Sequence, residues 1–196
     1  MRIISGEAKG RTLFAPQGSD TRPTSDKIRG SMFNIIGGRV DGARVLDLFG
    51  GTGALALEAL SRGAASAVIA DAARAAVQVI ERNARAVVRE DFDRRVRILR
   101  ADYRTAIEKA GGTFDMVFLD PPYRMTEAYG DALGRLLAAG RLEVGCLVVM
   151  ERQRSAAFEV PARFERYDVR LYGDTAVEFA RLRAEESAAP EALVCE

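Results

Sequence analysis

The chain has 196 residues, 48% of them hydrophobic, with a formal net charge of +1 and no histidine. That is enough apolar material for one core, and no apolar run is long enough to cross a bilayer, so no membrane partner is expected. The lack of histidine removes Ser-His-Asp hydrolysis and histidine-ligated zinc chemistry, and no metal is expected.

Cys146 lies in an apolar run and Cys195 in the last two residues, so the two cysteines form no disulfide framework. The N-terminus, MRIISGEAKGR, lacks the apolar stretch of a signal peptide. A reducing, cytoplasmic setting is expected.

Charge is unevenly spread. Residues 1–40 carry seven basic side chains against three acidic ones. A basic end on a near-neutral body is the footprint of a nucleic-acid contact. Lys9, Arg11, Arg22, Lys27 and Arg29 are the candidate RNA-binding residues. Short strands are expected at Arg2–Ile4 and Arg11–Phe14 around a turn at Gly6–Gly10. A polar loop, PQGSDTRPT, leads to a helix over about residues 25–36, capped by Thr24 or Ser25. Ile28, Met32, Ile35 and Ile36 are expected on its apolar face, with Lys27 and Arg29 off it. The segment forms either an RNA-contacting extension or a lid packed on the core.

Arg44–Phe49 (RVLDLF) reads as a buried strand. It runs into Gly50-Gly51-Thr52-Gly53 and then a helix, Ala54–Arg62. Strand, glycine turn and helix together make the opening unit of a nucleotide-binding fold. The pattern lacks the dinucleotide spacing G-x-G-x-x-G and adds an acid, Asp47, inside the strand. A carboxylate there can meet an ammonium group, such as the amino-acid end of S-adenosylmethionine. A second strand, Ser66–Ala70, ends at Asp71, which either accepts from ribose hydroxyls or caps a helix over Ala72–Val88. A third, Val96–Leu99, precedes Asp102 and Tyr103, where an acid could accept from an adenine amine.

Phe114–Tyr123 reads FDMVFLDPPY. The apolar run without alternation marks a strand buried on both faces, and Asp120 falls at its carboxyl end. Pro121 and Pro122 stiffen the turn and remove two backbone N–H donors. What remains is the Asp120 carboxylate and backbone carbonyls, an acceptor-only corner suited to a planar –NH2 group. Tyr123 adds a face on which a base can stack, worth about 1–3 kcal/mol. A helix over Glu127–Ala139 and a strand over Cys146–Met150 follow. Tyr167–Tyr172 and Val177–Leu182 alternate like antiparallel edge strands. Residues 184–196, with four glutamates and a proline, are expected to be a disordered tail.

These stretches together resemble the bacterial small-subunit ribosomal RNA guanine-N2 methyltransferases, the RsmD type, within the class I S-adenosylmethionine-dependent methyltransferases. The resemblance rests on MRIISG, TRPTSDKIRGSMFNII, VLDLFGGTGALALEALSRGA, ERN and FDMVFLDPPY. DPPY alone indicates only methylation of an exocyclic or amide nitrogen. The resemblance implies an α/β fold with a seven-stranded, mostly parallel sheet, helices on both faces and a final antiparallel hairpin. The expected division is an N-terminal extension, 1–40, and a methyltransferase domain, 41–183.

By the same likeness S-adenosyl-L-methionine is the cofactor. Asp47, Phe49, Gly51 and Gly53 line its methionine end, Asp71 binds its ribose and Asp102 its adenine, and Gly50, Ala72 and Tyr103 are further cofactor-binding residues. Asp120, Pro121, Pro122 and Tyr123 hold a guanine flipped from the small-subunit RNA, in an assembled or nearly assembled 30S particle. A monomer is expected. Gly50 stands where the family usually has alanine, Asp71 where it has glutamate and Gly30 where it has glutamate. The rival readings are a DNA or protein-amide N-methyltransferase, a non-catalytic RNA-binding module and, weakest, a nicotinamide oxidoreductase.

Overall fold

The structure, a computed structural model, describes residues 1–15 and 25–184. The whole polar loop, with Arg22 and the cap candidate Thr24, and residues 185–196 of the expected tail lie outside the described residues. Seven strands form one sheet in the order β3-β2-β1-β4-β5-β7-β6. They are β1 (Arg44–Asp47), β2 (Ser66–Asp71), β3 (Val96–Arg100), β4 (Phe114–Leu119), β5 (Leu142–Gln153), β6 (Phe164–Tyr172) and β7 (Thr175–Leu182). The first five run parallel, and β7 pairs antiparallel with both β5 and β6. The order reverses at β1, between β2 and β4, which is where open α/β sheets bind ligands.

Among the described residues six α-helices surround the sheet: α1 (Asp26–Ile36), α2 (Ala54–Ser61), α3 (Arg74–Val88), α4 (Phe92–Arg95), α5 (Tyr103–Lys109) and α6 (Glu127–Ala138). The central strands are apolar without interruption because both faces are covered. Val45, Ile69, Met116, Phe118 and Val149 pack with α1, α2 and α3. Leu46, Ala70, Val117, Leu119 and Val148 pack with α5 and α6. Successive side chains thus alternate in destination while sharing polarity.

The N-terminal segment packs into this core. Arg2 and Thr12 form one antiparallel bridge where two short strands were expected. Ile3 and Leu13 are buried with Met32, Phe33 and Ile36 of α1. Glu58 on α2, itself fully buried, accepts from the backbone N–H groups of Ile4 (2.7 Å) and Ser5 (3.0 Å). Gly6 passes so near α2 that an added Cβ would lie 1.7 Å from the Ser61 carbonyl oxygen, so only glycine fits there. Ser25 caps α1, its hydroxyl accepting from the Ile28 N–H.

The buried face of α1 carries Arg29, Met32, Phe33 and Ile36, one position round from the expected set. The expectation that Arg29 contacts RNA is therefore corrected. Arg29 is fully buried, donates to the Arg2 carbonyl and to Asp26 Oδ1 (3.0 Å), and lies 3.8 Å from Glu58. At i, i+3, i+4 and i+7 it belongs to the core stripe, and Glu58 compensates the buried charge.

Candidate active site

The four segments singled out in the sequence all leave the sheet at the carboxyl ends of parallel strands. The glycine loop follows β1, Asp71 closes β2, Asp102 follows β3 and Asp120 follows β4. Asp47 pairs with Phe118 across β1 and β4, and the Leu48 N–H donates to the Phe118 carbonyl, so Asp120 stands one strand from the glycine loop.

The loop is held by its own backbone. The Gly50 N–H donates to the Ala70 carbonyl (2.8 Å) and the Gly53 N–H to the Gly50 carbonyl (2.6 Å). Gly51 and Gly53 have φ of 56° and 79°, which explains glycine at both. A Cβ on Gly51 would meet nothing within 4 Å, so the loop presents bare backbone to open space. Gly50 has a different reason: a Cβ there would fall 2.6 Å from Ile69 Cγ2 and 2.9 Å from Ile80 Cδ1. An alanine at this position would require both side chains to move. Under the loop Asp47 is 1% exposed. Burial pushes its carboxyl up to about 7, the nearby Asp71 adds to the rise, and the Phe49 and Ala56 N–H groups oppose it.

The Asp71 carboxylate already accepts from the Gly51 N–H (2.9 Å) and the Ala73 N–H (2.8 Å), tying the loop to the start of α3. The helix itself begins at Arg74, two residues later than expected, and Ala72 is exposed beside Asp71. Asp102 is exposed and caps α5, a helix the sequence had not suggested. It accepts from the Arg104 and Thr105 N–H groups and from the Thr105 hydroxyl, which together hold its carboxyl below the usual range. Tyr103 is buried, its ring 5.4 Å from that of Phe49 and its hydroxyl donating to Asp131 (2.6 Å).

At the β4 corner Pro121 is buried, while Pro122 and Tyr123 are exposed. The Pro122 carbonyl accepts from the Met125 N–H (2.8 Å), so one of the two proline carbonyls is used in the turn. Asp120 keeps part of its surface exposed. Its carboxyl is pushed well above the usual range, first by burial and then by the charges of Glu151 and Asp47. Glu151 is buried on β5, one residue past the Leu119–Met150 pair. Tyr129 of α6 donates from its hydroxyl to the Glu151 carbonyl and stacks on Phe158 at 4.4 Å.

Glu151 was not among the expected residues, nor was Asn83. Asn83 is fully buried on α3 and joins the N-terminal segment to the glycine loop. Asn83 lies in the ERN stretch that carries part of the resemblance, and Glu151 immediately follows the apolar run Cys146–Met150, so nothing in their neighbours marks either as buried. Lys9, Arg11 and Lys27 are exposed. Among the described residues no group of acids, cysteines or histidines could hold a metal ion, and no helix is long and apolar enough to cross a membrane.

Comparison with known proteins agrees with this geometry. "Putative rRNA methyltransferase YlbH" of Bacillus subtilis (strain 168) is 42% identical over 127 residues, covering 63% of this chain and 67% of that protein. "Ribosomal RNA small subunit methyltransferase D" of Escherichia coli (strain K12) is 36% identical over 124 residues, 63% of this chain and 61% of that one. The matched part thus falls short of two thirds of the Escherichia coli protein. A solved structure, "Putative methyltransferase yhhF from Escherichia coli", superposes with a TM-score of 0.83 at 30% identity, covering 94% of this chain and 99% of its own. The family described as "Conserved hypothetical protein 95" matches residues 1–181, and the chain belongs to that family, the RsmD-type methyltransferases.

Proposed function

We propose that the protein transfers a methyl group from S-adenosyl-L-methionine to the exocyclic N2 amine of one guanine in small-subunit ribosomal RNA. The observation that carries the reading is the placement of Asp120-Pro121-Pro122-Tyr123 one strand from the glycine loop, at the point where the strand order reverses.

The residues fit the cofactor. Asp47 is a buried acid with no cation paired to it among the described residues, and its raised proton affinity is what a site awaiting an ammonium group displays. Open space above Gly51 gives room for close approach to the backbone. Asp71, half-buried at the end of its strand, retains lone pairs for ribose hydroxyls, and Asp102 lies at the next strand end for the adenine. When bound, S-adenosyl-L-methionine supplies a methyl group already activated on a sulfonium.

The chain's own residues then have three tasks. Tyr123, 45% exposed at the corner, stacks the extruded base. Asp120 and the Pro121 carbonyl accept the two amine hydrogens, which fixes the nitrogen and favours its developing positive charge. Orientation of this kind can supply about 7–11 kcal/mol. The nitrogen that gains a methyl group must lose a proton. Asp120, with its proton affinity raised, is the nearest acceptor when ionised.

Incubating the protein with methyl-labelled cofactor and separate small-subunit RNA, intact small subunits, DNA and protein tests the reading. Label is expected at guanine N2 in the RNA of one of the first two substrates. Label in DNA or protein alone, or at another base position, would overturn it.

A further inference from the structure

A concavity lies along the side of α3. It has a volume of about 510 Å³, with Lys9, Gly10, Arg11 and Phe14 on one wall and Ala86 and Arg89 on the other. Glu7 is the acid in its lining. One turn before Ala86, Arg82 lays its guanidinium 3.3 Å from the centre of the Phe14 ring. That ring is 42% exposed, although it is a large apolar group. Among the described residues none of Lys9, Arg11, Arg82 and Arg89 is paired with a carboxylate. Arg85 on the same helix is paired, 2.9 Å from Glu81.

Arg89 adds an independent sign. It ends α3 with φ of 51° and ψ of −116°, the one positive φ outside glycine among the described residues. Glycine is the relaxed residue at such a helix end. A cation held there against the backbone preference points to a use for its side chain.

The groove is also joined to the cofactor loop. Asn83 donates to the carbonyls of both Phe14 and Thr52, so the stacked Phe14–Arg82 pair abuts the glycine loop. We propose that this groove holds a single-stranded segment of the substrate RNA. Phosphates lie on Lys9, Arg11 and Arg89, and a base rests against the Arg82–Phe14 stack. Single strands are bound by this combination of cations and π faces. An acidic protein segment would use the cations but has no need of the exposed stack. The inference rests on the RNA methyltransferase reading and adds a contact surface to it.

The test uses the full chain with Arg82→Ala, Arg89→Gly and the double variant. Binding of a fluorescein-labelled single-stranded RNA is followed by anisotropy over a range of KCl. Each substitution is expected to weaken binding about tenfold; Arg89→Gly, which removes a phosphate contact, is expected to flatten the salt slope by about one, and Arg82→Ala to leave it nearly unchanged. Arg89→Gly relieves the backbone, so its melting temperature is expected at or above wild type, which separates lost binding from lost folding. Unchanged affinity and slope in the double variant overturn the proposal. So does weakened binding to intact small subunits with RNA affinity unchanged, which would assign the groove to a protein partner. Groove-dependent RNA binding in a wild-type protein that transfers no methyl group overturns the activity and leaves the groove. Methyl transfer with groove-independent binding overturns the groove alone.

Discussion

Asn83 grips Phe14 by both of its backbone polar groups. Its Oδ1 accepts from the Phe14 N–H (2.8 Å) and its Nδ2 donates to the Phe14 carbonyl (2.9 Å). The same Nδ2 donates to the Thr52 carbonyl (2.9 Å), so one buried amide fixes the N-terminal segment and the glycine loop together. Removing it takes the partner from three partly buried backbone groups, a cost of about 1 kcal/mol for each. Asn83→Ala is expected to lower stability by about 2–4 kcal/mol in urea unfolding and to weaken cofactor binding through the loosened loop. Wild-type stability with wild-type cofactor affinity would contradict this link.

Asp47 sets a pH dependence. Its carboxyl titrates near 7 in the free protein, and an ammonium partner requires the ionised form. Cofactor affinity measured by calorimetry is expected to rise with pH and level off above about 7, and Asp47→Asn is expected to abolish the slope. Stability has the opposite sign. A carboxyl raised in the folded state favours folding below its unfolded value and loses that contribution as pH rises through about 7. The cofactor-free protein is therefore expected to lose thermal stability across that window. The shift in melting temperature on adding cofactor is expected to be larger at about pH 8 than at about pH 6.

Glu151 lies beside Asp120 and raises its proton affinity. Glu151→Gln removes that charge, so the acid limb of the pH–rate profile is expected to move to lower pH, with cofactor affinity kept. A limb that stays in place would show that Asp120 ionisation does not govern the rate.

Gly30 sits inside α1, and a Cβ there would meet nothing closer than Ile4 Cδ1 at 3.8 Å. Gly30→Ala is expected to stabilise the protein by about 0.5–1 kcal/mol, raising the melting temperature by roughly 1–4 °C. A fall in melting temperature would mean that the packing of α1 on Ile4 does not tolerate the added methyl group.

The sheet was legible because buried parallel strands are written as plain apolar runs, and glycine, proline and acidic residues mark where they stop. Asp47, Asp71, Asp102 and Asp120 all fall at or just beyond such ends, so their convergence followed from topology alone. The polar residues inside the core were not legible. Glu58 holds residues 53 and 54 positions earlier, and Asn83 holds one 69 positions earlier. No local pattern encodes such partners. Arg29 misled for the same reason: its charge reads as surface until Glu58 is placed beside it. The strand ends past Met150 were extended by pairing with β7, which carried β5 on to Gln153 and brought Glu151 to Asp120.

The most direct test is Asp120→Ala assayed in parallel for cofactor affinity and for methyl transfer to small-subunit RNA or intact subunits. Binding close to wild type, with transfer reduced at least about a thousandfold, is expected if the carboxylate holds the reacting amine. Transfer at the wild-type rate would contradict the assignment of this corner as the place where chemistry occurs.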